Sequence, residues 1–268
     1  MKKSIISLMI VAGAAMSTSA VAQGFTPSLP SGDITLGGTI TTAMEGVYEG
    51  KVSSLNGLDA TIRVGAQEAT IAVPANTGLL ALRSINGFNA NASNKLAKIE
   101  FDGQSLSNLA GAGSFTNGKI DLELPAKNTV DSSVIGTVTV PVQVAAISVI
   151  VDDNTQQASG QSMSAVNDSY AFFGGLPYQP SAAIQVYDEA SAVINNLFPN
   201  ITGNFPAVDT KVDRAEPKTF TASGKTFYTA YAAGVLQNDN VRLQLSQAAD
   251  TAGVVSWVAS VPVTVSYN

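Results

Sequence analysis

The sequence predicts an all-β sandwich, and three observations carry that reading. Apolar residues recur at every second position in many short segments. Gly, Ser, Thr, Asn and Asp collect between those segments as turn chemistry. Charged residues make up only 13% of the chain, while Val and Ala are abundant. Period-two alternation marks a strand with one buried face, and short strands at this spacing point to two packed sheets.

Taken in order, the chain opens with a secretory leader, residues 1–22. Lys2 and Lys3 supply the positive region, Ile5 to Ala15 the apolar core, and Ala20-Val21-Ala22 the small-residue cleavage pattern. The apolar run is too short to span a membrane. The mature chain then begins at Gln23. Residues 23–41 form an extension with Pro27 and Pro30 near its start. Ile34, Leu36 and Ile40 point to one side of it, and Gly38 takes the remaining slot on that side.

The body, residues 42–268, follows. Asp59–Val64 and Ala69–Val73 flank Gly65-Ala66-Gln67-Glu68 and read as a hairpin. Lys98–Phe101 runs into Asp102-Gly103, a tight-turn signal. Lys119–Leu124 alternates. Val134, Val138, Val140, Val142 and Val144 share one parity, whereas Ile147, Val149 and Val151 share the other. A bulge or turn near Ala145-Ala146 is therefore expected to switch faces. Phe227, Tyr231, Ala233 and Val235 make a further face, and Asn238-Asp239-Asn240 turns the chain into Val241, Leu243 and Leu245. After a loop centred on Gly253 comes the last strand. Trp257, Ala259, Val261, Val263, Val265 and Tyr267 line one face; Val258, Ser260, Pro262, Thr264 and Ser266 line the other.

Between about Asp152 and Pro217 the alternation stops. Within it, Ser181–Phe198 carries Ala183, Tyr187, Ala190, Ile194 and Leu197 at helical spacing, and Pro199 ends the run. An aromatic stretch, Tyr170 to Tyr178, lies just ahead. These residues, 152–217, read as a partly helical insertion carried on the sandwich, with a second small domain as the alternative.

Composition removes whole classes of activity. Histidine is absent, which excludes Ser-His-Asp and Cys-His catalysis, His-ligated zinc and imidazole acid–base work. Cysteine is absent too, so an exported chain must rely on burial and sheet pairing rather than disulfides. The net charge is −6, and loss of Lys2 and Lys3 with the leader takes it to about −8. An acidic surface without basic runs disfavours nucleic acid and anionic lipid. Gly111-Ala112-Gly113 lacks the third glycine of a dinucleotide loop. Asp152-Asp153-Asn154 lacks the spacing of a calcium loop. Gly160-Gln161-Ser162-Met163-Ser164 lacks the last glycine of a nucleophile elbow and any histidine base. No cofactor, metal site or catalytic constellation is expected.

What remains is a strand-like segment at each end of a chain made mostly of strands. The plainer account pairs the first strand within its own sandwich. The sharper account holds it out for another molecule, since adding a strand to an open sheet edge is a recognised binding mode. Burial of Ile34, Leu36 and Ile40 would contribute about 5–9 kcal/mol, with ladder hydrogen bonds in addition.

Gly32-Asp33-Ile34-Thr35-Leu36-Gly37-Gly38-Thr39-Ile40-Thr41 resembles the amino-terminal donor segment of chaperone–usher fimbrial subunits, above all the K-88-type fimbrial adhesins. The ending Trp257 to Tyr267, with its penultimate tyrosine, resembles the carboxyl strand of the same subunits. Tyr228 to Val235 and Phe172-Phe173-Gly174-Gly175-Leu176 are also similar to that family. The pattern departs at Val255, where many such pilins carry a glycine fourteenth from the end; here Gly253 lies two residues earlier.

The resemblance implies an immunoglobulin-like sandwich that lacks its last strand and is completed by a donated one. A periplasmic chaperone lends a strand to the groove, and the outer-membrane usher lets the next subunit's extension replace it. Ile34, Leu36 and Ile40 would fill pockets in a neighbouring copy, with Gly38 where the groove is shallow. Trp257, Val261, Val263, Val265 and Tyr267 would form the wall that pairs with the chaperone. The chain would travel through the periplasm to a surface fimbrium. In the K-88-type group the insertion also binds host glycoconjugates. Phe172, Phe173, Tyr178 and Tyr187 are the candidate sugar-stacking residues, with Asp188, Glu189 or Asn195 as hydroxyl partners, unless these rings merely pack the insertion onto the sandwich. Three alternatives stand beside this reading: a minor or tip subunit, a monomeric secreted carbohydrate-binding sandwich, and an exported hydrolase using paired carboxylates, although its acidic residues are scattered and no pair stands out.

Overall fold

The computed structural model describes residues 31–35, 47–109, 113–249 and 255–267. The leader, Leu36, Gly38, Ile40, Gly111, Ala112 and Gly253 lie outside the described residues. In chain order the strands are β1 (Ser31–Thr35), β2 (Tyr48–Val52), β3 (Glu68–Ala72), β4 (Thr77–Ser84), β5 (Phe88–Asn89), β6 (Ala97–Phe101), β7 (Lys119–Asn128), β8 (Val134–Asp152), β9 (Ala158–Ser164), β10 (Thr210–Pro217), β11 (Lys225–Val235), β12 (Asn240–Leu245), β13 (Trp257–Val258) and β14 (Ser260–Tyr267). The α-helix, α1, spans Tyr187–Leu197. No helix among the described residues is long and apolar enough to cross a membrane. The all-β sandwich reading holds.

Strand β8 organises the large sheet. Its first half pairs with β7 and β12, and its second half with β9 and β11. Beyond β11 lie β4 and then β2; β10 runs parallel to β9; β3 pairs with β12 and β13 with β7. A three-stranded sheet, β1-β14-β6, forms the opposite layer. The core between the layers takes Leu80 and Leu82 of β4, Ile99 and Phe101 of β6, Ile120, Leu122 and Leu124 of β7, and Val261, Val263 and Val265 of β14. Seven rings meet at one end of it: Tyr48, Phe88, Phe172, Phe220, Phe227, Tyr231 and Tyr267.

The parity change in β8 is not a bulge. The strand is continuous, and its register with β11 runs unbroken from Gln143 to Asp152. Val138, Val140, Val142, Val144 and Ala146 face the sandwich core. Ala145, Ile147 and Val149 face the other way, into a second core under α1. The strand passes from one covered face to two, so apolar residues appear at both parities.

Helix α1 supplies that cover. Tyr187, Ala190, Ile194 and Leu197 pack onto Ala81, Ala145, Ala230 and Ala232, small residues that let the helix lie close. At Gly160 a Cβ would stand 2.7 Å from the Tyr187 ring, so only glycine fits. Asp188 and Glu189 complement the dipole in the first turn. The helix begins six residues later than its spacing predicts, because Gln185 donates to the carbonyls of Pro180 and Ala183 and holds the preceding segment in a 3₁₀ turn. Arg83 and Asn204 pin the far end: Arg83 Nη1 donates to Ile201 O at 3.2 Å, and Asn204 Nδ2 to Ser84 O at 3.0 Å.

Three further expectations change. Asp59–Val64 is not a strand; its side chains are mostly exposed and only Ala69–Ala72, within β3, enters the sheet. The region 152–217 is not free of strands, because β9 and β10 lie inside it. The segment Trp257–Tyr267 is two strands in different sheets, β13 on β7 and β14 on β6, with Ala259 at the switch. Asp102-Gly103 does form the expected tight turn, with φ of 49° and 72° and reciprocal Phe101–Gln104 hydrogen bonds.

Candidate functional site

The site is the outer edge of β14. Val261, Val263 and Val265 turn inward and are buried, while Ser260, Pro262 and Thr264 face out. On one side β14 pairs with β6: Val263 opposite Phe101, Val265 opposite Ile99, Tyr267 opposite Ala97. Pro262 gives its carbonyl to Asp102 N at 2.7 Å, toward that side. Alternation then turns the N–H groups of Val261 and Val263 to the opposite edge. There they face β1, antiparallel, with Ser31 opposite Thr264, Ile34 opposite Val261 and Thr35 opposite Ser260. Five residues of the arm thus cover five of the eight residues of β14.

The other free edge of this small sheet is closed differently. Loop 172–174 lies along β6: Phe172 N donates to Ala97 O at 2.6 Å, Ile99 N to Phe173 O at 2.8 Å, and Leu106 N to Gly174 O at 2.7 Å. Gly174 sits at φ +88°, and a Cβ there would stand 2.0 Å from Ile99 O. One edge is therefore sealed by loop 172–174, and among the described residues the other is covered only by β1.

Between the sheets beside β14 is a wholly apolar gap of about 30 Å³, lined by Leu79, Leu122, Leu124, Val142, Ala233 and Val261 among others. It lies under the strand that β1 covers. At the far end of β14, Tyr267 stacks on Tyr48 with centroids 6.1 Å apart. Burial pushes the Tyr267 phenol up to about 12 and raises Tyr48 well above the usual tyrosine range. Trp257 and Tyr267 are half-buried at the two ends of the wall.

The aromatic candidates separate into two kinds. Phe172 is fully buried, 5.5 Å from both Tyr48 and Tyr231 by ring centroid, and Tyr187 is buried on the sheet-facing side of α1. Neither ring is placed to stack on a sugar, which corrects the sequence expectation for both. Phe173 and Tyr178 are half-exposed and stacked on each other, centroids 5.4 Å apart and planes 17° from parallel. The Tyr178 hydroxyl donates to Ser105 Oγ. Of the polar candidates, Asp188 pairs with Lys211 at 2.8 Å and Asn195 donates to Ser191 O at 2.9 Å. Ser162 lies in β9 and donates to Ile184 O, which leaves it no nucleophilic setting. Among the described residues no group of three His, Cys, Asp or Glu could hold a metal.

A family model described as "Fimbrial, major and minor subunit" matches residues 1–268. The F41 fimbrial protein of Escherichia coli is 26% identical over 287 residues, an alignment that covers 100% of each chain.

Proposed function

The chain belongs to the K88-type family of fimbrial subunits, and from that premise we propose that this structural subunit of a surface fimbrium polymerises by donating residues 23–41 to the next copy. The observation that carries the proposal is the asymmetry of the small sheet. The β6 edge is closed by loop 172–174, while among the described residues β14 has only β1 along its outer side. A sheet edge closed by a detachable arm suits exchange between copies.

In the fibre, Ile34 of one subunit packs beside Val261 of another at the edge of the apolar gap, and Leu36, Gly38 and Ile40 run on past Ser260 toward the Trp257 end of the wall. Trp257 and Tyr267 bound the wall. Before exchange a periplasmic chaperone lends its strand to β14 in place of the subunit's own Ser31–Thr35, and an outer-membrane usher hands the groove to the incoming arm. The leader, 1–22, directs export through the periplasm, and 152–217 is an insertion on an immunoglobulin-like body. In the free chain the arm rests on its own β14; in the fibre the same register is made between copies. The stacked pair Phe173 and Tyr178 is the part of the insertion suited to a host sugar ring.

The test is deletion of residues 23–41. The shortened subunit should form folded complexes with chaperone and fail to polymerise. Fibres built from it would refute strand donation. A glycan array probed with Phe173→Ala subunits tests the sugar contact, which unchanged binding would remove.

A further inference from the structure

We infer that the end of the sandwich carrying Val64, Val130, Val134 and Val255 seats the body of the neighbouring subunit, a head-to-tail contact between copies of this chain; the inference rests on the strand-donation reading above. Among the described residues six large apolar side chains are exposed, all valines, and four of them gather at this end. Val130 is 89% exposed, Val64 62%, Val134 and Val255 59% each. Hydrogen bonds tie their segments together: Gly65 N to Ala249 O at 2.7 Å, Ser246 N to Ile135 O at 2.9 Å, and Thr129 N to Ser256 O at 3.0 Å. Single exposed valines need no explanation, but four on three adjoining segments, Val130 and Val134 sharing the β7–β8 turn, form a patch. Asp131 stands in its midst, yet its carboxylate is turned onto Ser133 N and Oγ.

The polarity of the arm says what covers the patch. From Ser31 to Thr35 the arm advances along β14 from Thr264 to Ser260, toward residues 255–258. A donor's body follows its arm in sequence, so it must stand off the Ser260 end. That is the valine end. The body itself begins at the opposite pole, since Tyr48 is stacked on Tyr267. Ser260 and Tyr267 are about 23 Å apart along the strand. The eleven residues between Thr35 and Val47 reach no more than about 40 Å. Donor tail and acceptor valines are thus different surfaces held close by a short tether. Such a heterologous contact does not close on itself and propagates as a filament.

The experiment uses intact fimbriae assembled from the full chain with Val130→Lys and Val255→Lys together. Both sites are exposed, so melting of the soluble variant should match the parent. Detergent-driven release of subunits from isolated fibres should be about tenfold faster than from parent fibres. Val166→Lys, on an exposed valine outside the patch, should leave release unchanged. Release of the double variant at the parent rate would overturn the contact while leaving strand donation intact. Loss of host-cell adherence with unchanged release would assign the patch to a host ligand and also overturn it. Fibres built without residues 23–41 would overturn both readings together.

Discussion

Replacing Gly174 by alanine should unseal the β6 edge. The residue sits at φ +88°, where an L side chain costs about 1–2 kcal/mol. Its new Cβ would also stand 2.0 Å from Ile99 O, a backbone atom of the strand it covers. The loop must move away, and two hydrogen bonds go with it: Ile99 N to Phe173 O and Leu106 N to Gly174 O. Each contributes about 0.5–1.5 kcal/mol. The total loss is about 2–5 kcal/mol, a large share of a typical domain's stability. Equilibrium urea unfolding of the soluble subunit measures it, and amide exchange at Ile99 and Leu106 locates it. A loss below about 1 kcal/mol with unchanged exchange at those two amides would refute the sealing argument. A bared second edge should also promote irregular aggregation, visible by electron microscopy.

Two other outcomes follow from the same geometry. Phe172→Ala should cost about 3–5 kcal/mol of stability as a core truncation, whereas Phe173→Ala, on a half-exposed ring, should cost about 1 kcal/mol; urea midpoints of the two variants distinguish them. Stability should be flat between pH 5 and 8, where no histidine titrates. It should fall only in acid. Lys225 holds Asp152 down to about 2, and Arg214, with Lys218 and Gln161, holds Glu216 down to about 2. Depressed carboxylates stabilise the fold above their ordinary values and lose that contribution as pH drops from about 4 toward 2. Asp152→Asn with Glu216→Gln should flatten the melting-temperature slope in that window, and an unchanged slope would contradict the assignment.

The alternating strands were legible because their large apolar residues share one face, even in β11, where Ala230 and Ala232 are buried on the other. Lys119 to Leu124, Phe227 to Val235 and Val261 to Val265 all keep the parity that the sequence predicts. Strand β9, Ala-Ser-Gly-Gln-Ser-Met-Ser, hid because small and polar residues are buried on both of its faces. Strand β10 hid for the opposite reason: it is an edge strand, and Thr210 to Arg214 are exposed on both faces. The face change in β8 was visible, but its cause was not, since nothing local says that α1 covers the second face. Burial of Phe172 was equally hidden. It depends on Tyr48 and Tyr231, more than fifty residues away on either side. The sealing loop on β6 left one signal, the pair Gly174-Gly175 after two phenylalanines, which marks close approach of backbone to backbone.

Thr35 stands opposite Ser260 in the antiparallel register, and the chain has no cysteine of its own. Thr35→Cys with Ser260→Cys therefore places one thiol pair within bridging distance wherever an arm lies on β14. Under strand donation, oxidised fimbriae run without reductant should give a covalent ladder of multimers. A single monomer band carrying an internal bridge would mean that every subunit in the fibre keeps its own arm, and strand exchange would be wrong.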